Sequence, residues 1–580
     1  MSTFKKAWLL LNKSQRKYIY FIFILMFFSM ILEILSIGII IPLLSLLIKG
    51  NADVSFFNHF LFFGQLTKTN LIYIGLLVTV IIFSIKNLFL IFNLWQQSKF
   101  MAKMNVEFSD RLFKYYLKKD YMFFLETNTS LLHRNVTFEV VSFVDYINKT
   151  IIILNEIIIF LGIICILLYA DILGTLIILT LIGVFFLITY FSTRKRIDSL
   201  GKEKIIIRGE ANKHILQGFM AAKEVKILDR IEDLTQQLYH NFLKLHKNYL
   251  VTRFITGLPR FAFEILIATT FAVLIVFMLK TNKETVDIIQ YLGVFAIASF
   301  RLVPGAAKLI SSYQGLRYGG PSVKLISNEL FSKKNELHKE EKSNISMDFQ
   351  KNINLKNLSF SYPSRKEFSL SKISMTIKKG DFIGIIGETG SGKSTLINLL
   401  IGLLNPIEGK IEVDELNIHS NLSKWYKKIG YIPQSVYLLD DTVRKNIAFG
   451  LKNEDIDDSL IQKAVDKASL GKFLNELPNG LDTIVGENGI RISGGQLQRI
   501  GIARALYRDP EILILDEATS SLDKLTEKKI IESIQFLKRK KTIIIITHRL
   551  STVENCDKIF FIDRGKITKQ GSPKEILNNI

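Results

Sequence analysis

The chain holds only two cysteines in 580 residues, Cys165 inside an apolar run and Cys556 near the C-terminus. Two isolated thiols build neither a disulfide framework nor a cysteine metal site. Acidic residues are missing from the first 17 positions, which carry Lys5, Lys6, Lys13, Arg16 and Lys17. A small-residue cleavage site is missing too, and the apolar run that follows is about twice the length of a secretory h-region, so it reads as a retained helix. What the sequence has in excess is apolar side chains (48%) and positive charge (formal net charge +22). That composition is too apolar for an ordinary soluble protein, and apolar spans joined by basic loops account for both numbers. Nucleic-acid binding is the rival explanation of the charge, and the spans leave it unneeded.

At this length more than one domain is expected. Residues 1–325 carry six long apolar runs, at 18–48, 71–95, 143–170, 172–193, 255–280 and 286–312. Each is long enough to cross about 30 Å of hydrocarbon as a helix. The basic N-terminal segment and the Lys/Arg-rich segments at 96–142 and 194–254, including Arg194-Lys195-Arg196, are expected on the cytoplasmic side. Six crossings then return the chain to the cytoplasm, so both termini are expected there. The inside connections are helical in pattern, so the helices are expected to run well beyond the bilayer. One outer loop, near 54–66, aligns Phe56, Phe57, Phe60 and Leu61 on one face. It reads either as an interfacial helix or as a loop packed on the other helices.

Residues 326–350 are charged and weakly apolar, the texture of a linker. From 351 to 580 short β-rich runs alternate with helices, the pattern of an α/β domain. "FIGIIGETGSGKSTLINLL" is an apolar strand, a glycine loop and an apolar helix, and Gly387 to Ser394 fits G-x-x-x-x-G-K-[ST]. Gly387, Gly390 and Gly392 let backbone N–H groups close around phosphates at a helix N-terminus. Lys393 is expected to meet the β- and γ-phosphates and Ser394, with Thr395 beside it, to hold Mg²⁺. "EILILDEATSSLD" is a second apolar strand, ending in Asp516 and Glu517. The first carboxylate suits Mg²⁺ and the second can polarise an attacking water. "IIIITHRL" ends a third strand in His548, placed as a γ-phosphate sensor. Alone, that histidine would read as a cap or a core residue.

With "RISGGQLQR" at 491–499 the chain resembles the ATP-binding cassette (ABC) transporters, whose signature is commonly L-S-G-G-Q; Ile492 replaces the leucine. The motifs follow in the family's order across residues 351–580. The resemblance implies the cofactors ATP and Mg²⁺ and several further roles. Tyr362 is expected to stack on adenine, and Gln434 to contact Mg²⁺ and link nucleotide to the membrane domain. Ser493, Gly494, Gly495 and Gln496 are expected to meet ATP bound to the opposite subunit, and Asp523 to lie at the dimer interface. One cassette and six membrane helices make half a transporter, so the resemblance implies a homodimer with two equivalent sites. The fold class expected is multidomain: an all-α six-helix transmembrane domain of the type IV exporter kind, then an α/β P-loop cassette. Short coupling helices are expected near 119–126 and 219–229. A nucleotide-gated regulator or channel is the rival from another class, and the intact Glu517 argues against it. A soluble ABC ATPase is excluded by the six spans.

About 17 residues precede the first helix, leaving no room for the N-terminal peptidase domain of many bacteriocin exporters. "ILEILSIGIIIPLLSLL", "GLPRFAFE" and "FRLVPGAAKLISSYQGLRY" resemble the membrane half of bacterial flippases of lipid-linked oligosaccharides. That resemblance implies a polyprenyl-pyrophosphate-linked glycan as cargo in a bacterial cytoplasmic membrane; the alternative is an exporter of amphipathic drugs, lipids or peptides. Ionisable residues inside a membrane are functional candidates. By helix rise, Lys86 and Arg301 lie roughly 20 Å, and Arg260 and Lys308 roughly 30 Å, below the outer ends of their helices. Lys86, Arg260 and Arg301 are therefore candidate cavity cations for a pyrophosphate. The competing expectation is pairing with Glu33, Glu156 and Glu264, with Lys308 snorkelling.

Overall fold

A computed structural model describes residues 2–40, 43, 68–170, 172–280, 285–336, 347–363, 367–486, 492–518 and 524–578. The chain divides into two compact units, residues 1–119 with 123–339, and residues 120–122 with 340–580. The amphipathic outer-loop segment near 54–66 and Asp523 lie outside the described residues.

The first unit is all helix. Its elements are α1 (Thr3–Leu10), α2 (Lys13–Gly38), α3 (Lys68–Leu117), α4 (Tyr121–Glu126, whose first two residues belong to the second unit), α5 (Thr129–Arg134), α6 (Val140–Ala170), α7 (Ile172–Met220), α8 (Ala222–Ile227), α9 (Ile231–Lys280) and α10 (Thr285–Glu336). Asn12 and Gln15 form a reciprocal capping box that fixes where α2 begins. Five described helices are long and apolar enough to cross a membrane, within Lys13–Gly38, Ile72–Leu117, Thr129–Leu168, Ile172–Met220 and Ile231–Val273. The expected sixth crossing falls in the first part of α10, which is not among these five and whose apolar stretch is interrupted by Arg301 and Lys308. Three of these elements run for 49 to 50 residues, far beyond the length a bilayer needs.

Phe100, Met104, Phe108 and Leu112 recur every four residues along α3 and are all buried. They pack with Phe143, Val144 and Ile147 of α6 and Val323, Ile326 and Leu330 of α10, with the Phe108 and Phe143 rings 4.7 Å apart. This core explains a difference from expectation at residue 326. The spacing of Val323, Ile326 and Leu330 continues one helical stripe, so α10 runs on to Glu336 instead of yielding to linker at 326.

The second unit is α/β. An antiparallel four-stranded sheet has the order β2 (Leu370–Lys378), β1 (Asn352–Phe360), β4 (Glu408–Val413), β5 (Leu416–Asn417). A six-stranded sheet has the order β10 (Lys566–Gly571), β9 (Lys558–Asp563), β3 (Phe382–Gly387), β8 (Thr542–Ile546), β7 (Ile512–Asp516), β6 (Ile429–Ile432). β9 through β6 pair in parallel, and β10 closes one edge antiparallel to β9. Every residue of β7 and β8 is buried, as their unbroken apolar runs require of central parallel strands. The helices that carry the site are α11 (Lys393–Ile401), α12 (Gly494–Leu506), α13 (Lys524–Gln535) and α14 (Leu550–Val553).

Candidate functional site

Three strand ends meet at one edge of the six-stranded sheet. β3, β8 and β7 are neighbours, with Gly384 opposite Ile545 and Asp516 opposite Ile546. The carboxyl ends of adjoining parallel strands are where an open α/β sheet leaves room for a ligand. β3 ends at Gly387, β7 at Asp516, and β8 two residues before His548. The register alone thus gathers the glycine loop, two carboxylates and the histidine.

Gly387 has φ +156°, and a Cβ there would stand 2.1 Å from the Ile562 carbonyl oxygen. Gly392 has φ +108°, and its Cβ would stand 2.8 Å from the Ser369 carbonyl oxygen. Conformation and space both demand glycine at these two positions. Lys393, almost fully buried, turns back so that Nζ donates to the carbonyls of Gly387 at 2.9 Å and Glu388 at 2.7 Å. Burial lowers its pKa below the ordinary lysine value, while Glu517 and Asp516 pull the other way. Ser394 is exposed in the first turn of α11, and Thr395 Oγ1 lies 3.2 Å from the Tyr362 hydroxyl. The Tyr362 ring stands edge-on to Phe360 at 5.0 Å. A glycine loop on a helix N-terminus with an ammonium beside it is a cradle for phosphate.

Across from this loop, burial raises the Asp516 carboxyl above the ordinary aspartate range, with the Tyr431 hydroxyl donating to it at 3.3 Å. Glu517 has φ +46°, uncommon away from glycine. Both of its carboxylate oxygens are held: Gln434 Nε2 donates to one at 2.8 Å, and His548 Nε2 lies 2.9 Å from the other. Gln498, buried on α12, donates to the Gln434 carbonyl at 2.8 Å. Ser493 caps α12, its hydroxyl accepting from the Gln496 N–H while the Gln496 side chain accepts from the Ser493 N–H. Among the described residues, no hydrogen bond joins residues 493–496 to the Lys393 loop.

A second group of charges lies within the helical unit. Glu33 and Glu156 are 3% and 1% exposed. Arg301 bridges them, Nε standing 2.9 Å from Glu33 and a terminal guanidinium nitrogen 3.2 Å from Glu156. Lys308 Nζ is 2.9 Å from the other oxygen of Glu156, and Lys86 Nζ 3.7 Å from Glu33. Gly305 makes this approach possible, since a Cβ there would meet Phe160 at 2.8 Å and Glu156 at 3.1 Å. Three cations against two carboxylates leave an excess of one positive charge.

Residues 370–520 match the family model described as ABC transporter. Over 226 residues the chain is 42% identical to an ATP-dependent lipid A-core flippase of Pasteurella multocida, and over another 226 residues 45% identical to a probable multidrug resistance ABC transporter of Bacillus subtilis. These alignments cover 39% and 38% of this chain and the same shares of the two relatives. Over 234 residues it is 41% identical to ABC transporter B family member 21 of Arabidopsis thaliana, covering 40% of this chain and 18% of the relative. The chain thus spans well under half the length of the curated relatives it matches. A solved bacterial Atm1-family ABC exporter with ATP bound superposes with a TM-score of 0.80 at 21% identity, covering 98% of this chain and 97% of the other.

Residues 370–520 thus carry an ABC transporter cassette, and the chain shares the fold of the solved exporter. With its apolar helices ahead of the cassette, it is an integral, multi-pass membrane protein.

Of the residues expected at the cassette's site, the fold gathers Gly387, Gly392, Lys393, Ser394, Thr395 and Tyr362 on one side and Gln434, Asp516, Glu517 and His548 on the other. Among the described residues, the signature residues 493–496 share no hydrogen bond with either group, and Asp523 is outside the described residues. In the helical unit Arg301 and Lys86 come together through Glu33. Arg260 does not join them: its side chain is mostly exposed and pairs loosely with Glu264, Nε to carboxylate 3.7 Å. Lys308, expected to snorkel, belongs to the cluster instead. Sequence reasoning missed Tyr431 and Gln498, although both stand in the motifs "YIPQ" and "GGQLQR". Nothing in local spacing says that a tyrosine 85 positions earlier reaches Asp516; the adjacency of β6 and β7 does.

Proposed function

We propose that two copies of this chain form an ATP-driven flippase that moves a polyprenyl-pyrophosphate-linked oligosaccharide from the inner to the outer leaflet of a bacterial cytoplasmic membrane. The N-terminus and the cassette lie on the cytoplasmic side in this reading. The motor half rests on the residues gathered at the ends of β3, β7 and β8. They fit a magnesium nucleotide: a glycine cradle that a Cβ would fill, a lysine at its mouth, and a buried carboxylate opposite a serine hydroxyl. A bound Mg²⁺–ATP supplies the phosphoryl group for transfer to water. Lys393 leaves its loop carbonyls to bind phosphate. Ser394, Asp516 and Gln434 would hold the metal, and Tyr362 would carry the adenine. Glu517, freed from Gln434, takes a proton from the attacking water, and His548 orients the phosphate end. Ser493, Gly494, Gly495 and Gln496 close the partner's site. α4 and α8 serve as the coupling helices, and nucleotide binding and hydrolysis shift the membrane helices between two access states.

The single observation that carries the cargo assignment is the cationic excess at Lys86, Arg301 and Lys308 on otherwise apolar helices. Arg301 presents a planar donor fork suited to a diphosphate, with two buried carboxylates holding it in place. The second reading, an exporter of other amphipathic lipids or drugs, is favoured by the names of the relatives. Their alignments leave most of this chain unmatched. Proteoliposomes containing the full chain separate the two. Pyrophosphate-linked glycolipid stimulates ATP turnover and is flipped under the first reading; hydrophobic cations do so, and the glycolipid does not, under the second.

A further inference from the structure

We infer that Arg549 and Glu527 are positioning residues for ATP turnover, an ion pair between a half-buried guanidinium and a buried carboxylate that fixes the backbone carrying His548 so that His548 keeps its place on Glu517. This rests on the reading of the site as an ATPase.

α13 buries a stripe at positions 527, 530 and 534, and the other two members are Ile530 and Ile534. A carboxylate in that stripe is out of place unless something answers it, because a buried charge without a partner is strongly disfavoured. Arg549 and Thr552 answer it. The Arg549 guanidinium contacts one oxygen of Glu527, and the hydroxyl of the fully buried Thr552 lies 3.3 Å from the other. Both partners come from the short segment after β8: Arg549 is the N-cap residue of α14 and Thr552 lies inside it. Glu527 therefore grips α14 at two points one turn apart.

An ion pair in such a place is a poor source of stability, since apolar residues of similar volume do as well or better. What it supplies is geometry. Arg549 follows His548 directly in the chain, and its N–H donates to the hydroxyl of the buried Thr547 at 3.0 Å. His548 itself is exposed, and its contact in the site is the 2.9 Å approach to Glu517. The backbone on both sides of His548 is thus anchored, by Thr547 toward the sheet and by Arg549 toward α13. With the second anchor gone, the imidazole keeps its chemistry and loses its address.

The test uses the full chain in proteoliposomes, with ATP turnover and thermal stability read together. Arg549→Ala is expected to lower kcat about tenfold while KM for ATP changes by less than about twofold, and Arg549→Lys to recover part of the loss. Arg549→Ala also removes a charge partner of the buried Glu527 and can unfold the cassette, so the deciding variant is Glu527→Met/Arg549→Met, which removes both charges at similar volume. The inference expects this double variant to melt at or above the wild-type temperature and still to turn over about tenfold more slowly. Wild-type kcat in a stable double variant would overturn it and leave the pair a packing element. Glu517→Gln is the control: if wild-type turnover survives that change, the reading of the site as an ATPase fails, and this inference fails with it.

Discussion

Arg301 stands between Glu33 and Glu156, touching both and fully matching neither, because Lys86 and Lys308 share the same two carboxylates. One positive charge is left over beside two buried carboxylates, where ionic interactions are strong and unpaired ones costly. The cargo reading makes Arg301 the group that exchanges a carboxylate for phosphate. Arg301→Ala is expected to reduce glycolipid flipping at least tenfold. Swapping the pair as Arg301→Glu/Glu156→Arg restores the charge count without restoring the fork at position 301, so flipping stays low. Recovery in the swapped variant, measured by the same flipping assay, would reduce Arg301 to a structural partner of Glu156.

Gly305 lets α10 approach α6 at the level of this cluster. A methyl group there meets the Phe160 ring, Glu156 and the Arg301 guanidinium within 3.3 Å. Overpacking of this kind typically costs about 1–3 kcal/mol. Gly305→Ala is therefore expected to lower the melting temperature of the full chain in detergent and to weaken flipping, whereas Gly320→Ala, with open space around the added methyl, should do neither. Equal melting temperatures for the two variants would contradict the close approach.

In the ATPase reading, Asp516 sets an acid limit on nucleotide use. Burial raises its folded pKa above the unfolded value, so between the two values the folded chain binds more protons. Stability without nucleotide accordingly falls as pH rises through that window. Mg²⁺ needs the ionised carboxylate, so stabilisation by Mg²⁺–ATP runs the opposite way. It should weaken on acidification while pH is still above about 3.9, the ordinary aspartate value. Melting curves of the full chain with and without Mg²⁺–ATP across that range check both signs, and Asp516→Asn should abolish the second.

How much of this was legible in the sequence follows from what sets each contact. Unbroken apolar runs announce central strands and crossing helices, and Gly387 to Ser394 announces its own loop because the backbone conformation it needs is local. Contacts set by strand order or by helix rotation were not legible. Depth counting put Lys86 and Arg301 at one level, yet gave no azimuth; the fold turns Arg301 toward both carboxylates and leaves Arg260 outward. The π-helical turn at Asn135–Glu139 has no periodic signal, and neither do the pairings of Tyr431 with Asp516 and Arg549 with Glu527 across the sheet and its flanking helices. The run of α10 past 326 is hidden because the charged residues from Lys333 on mask the buried stripe of Val323, Ile326 and Leu330.

The most direct test of the central claim is ATP-dependent flipping in proteoliposomes that contain only this chain and a pyrophosphate-linked glycolipid. Wild-type chain should move the lipid to the opposite leaflet on addition of Mg²⁺–ATP, and Glu517→Gln should bind ATP, stop turnover and move none. Flipping at the wild-type rate by Glu517→Gln, or wild-type ATP turnover that leaves the glycolipid where it was, would contradict the account.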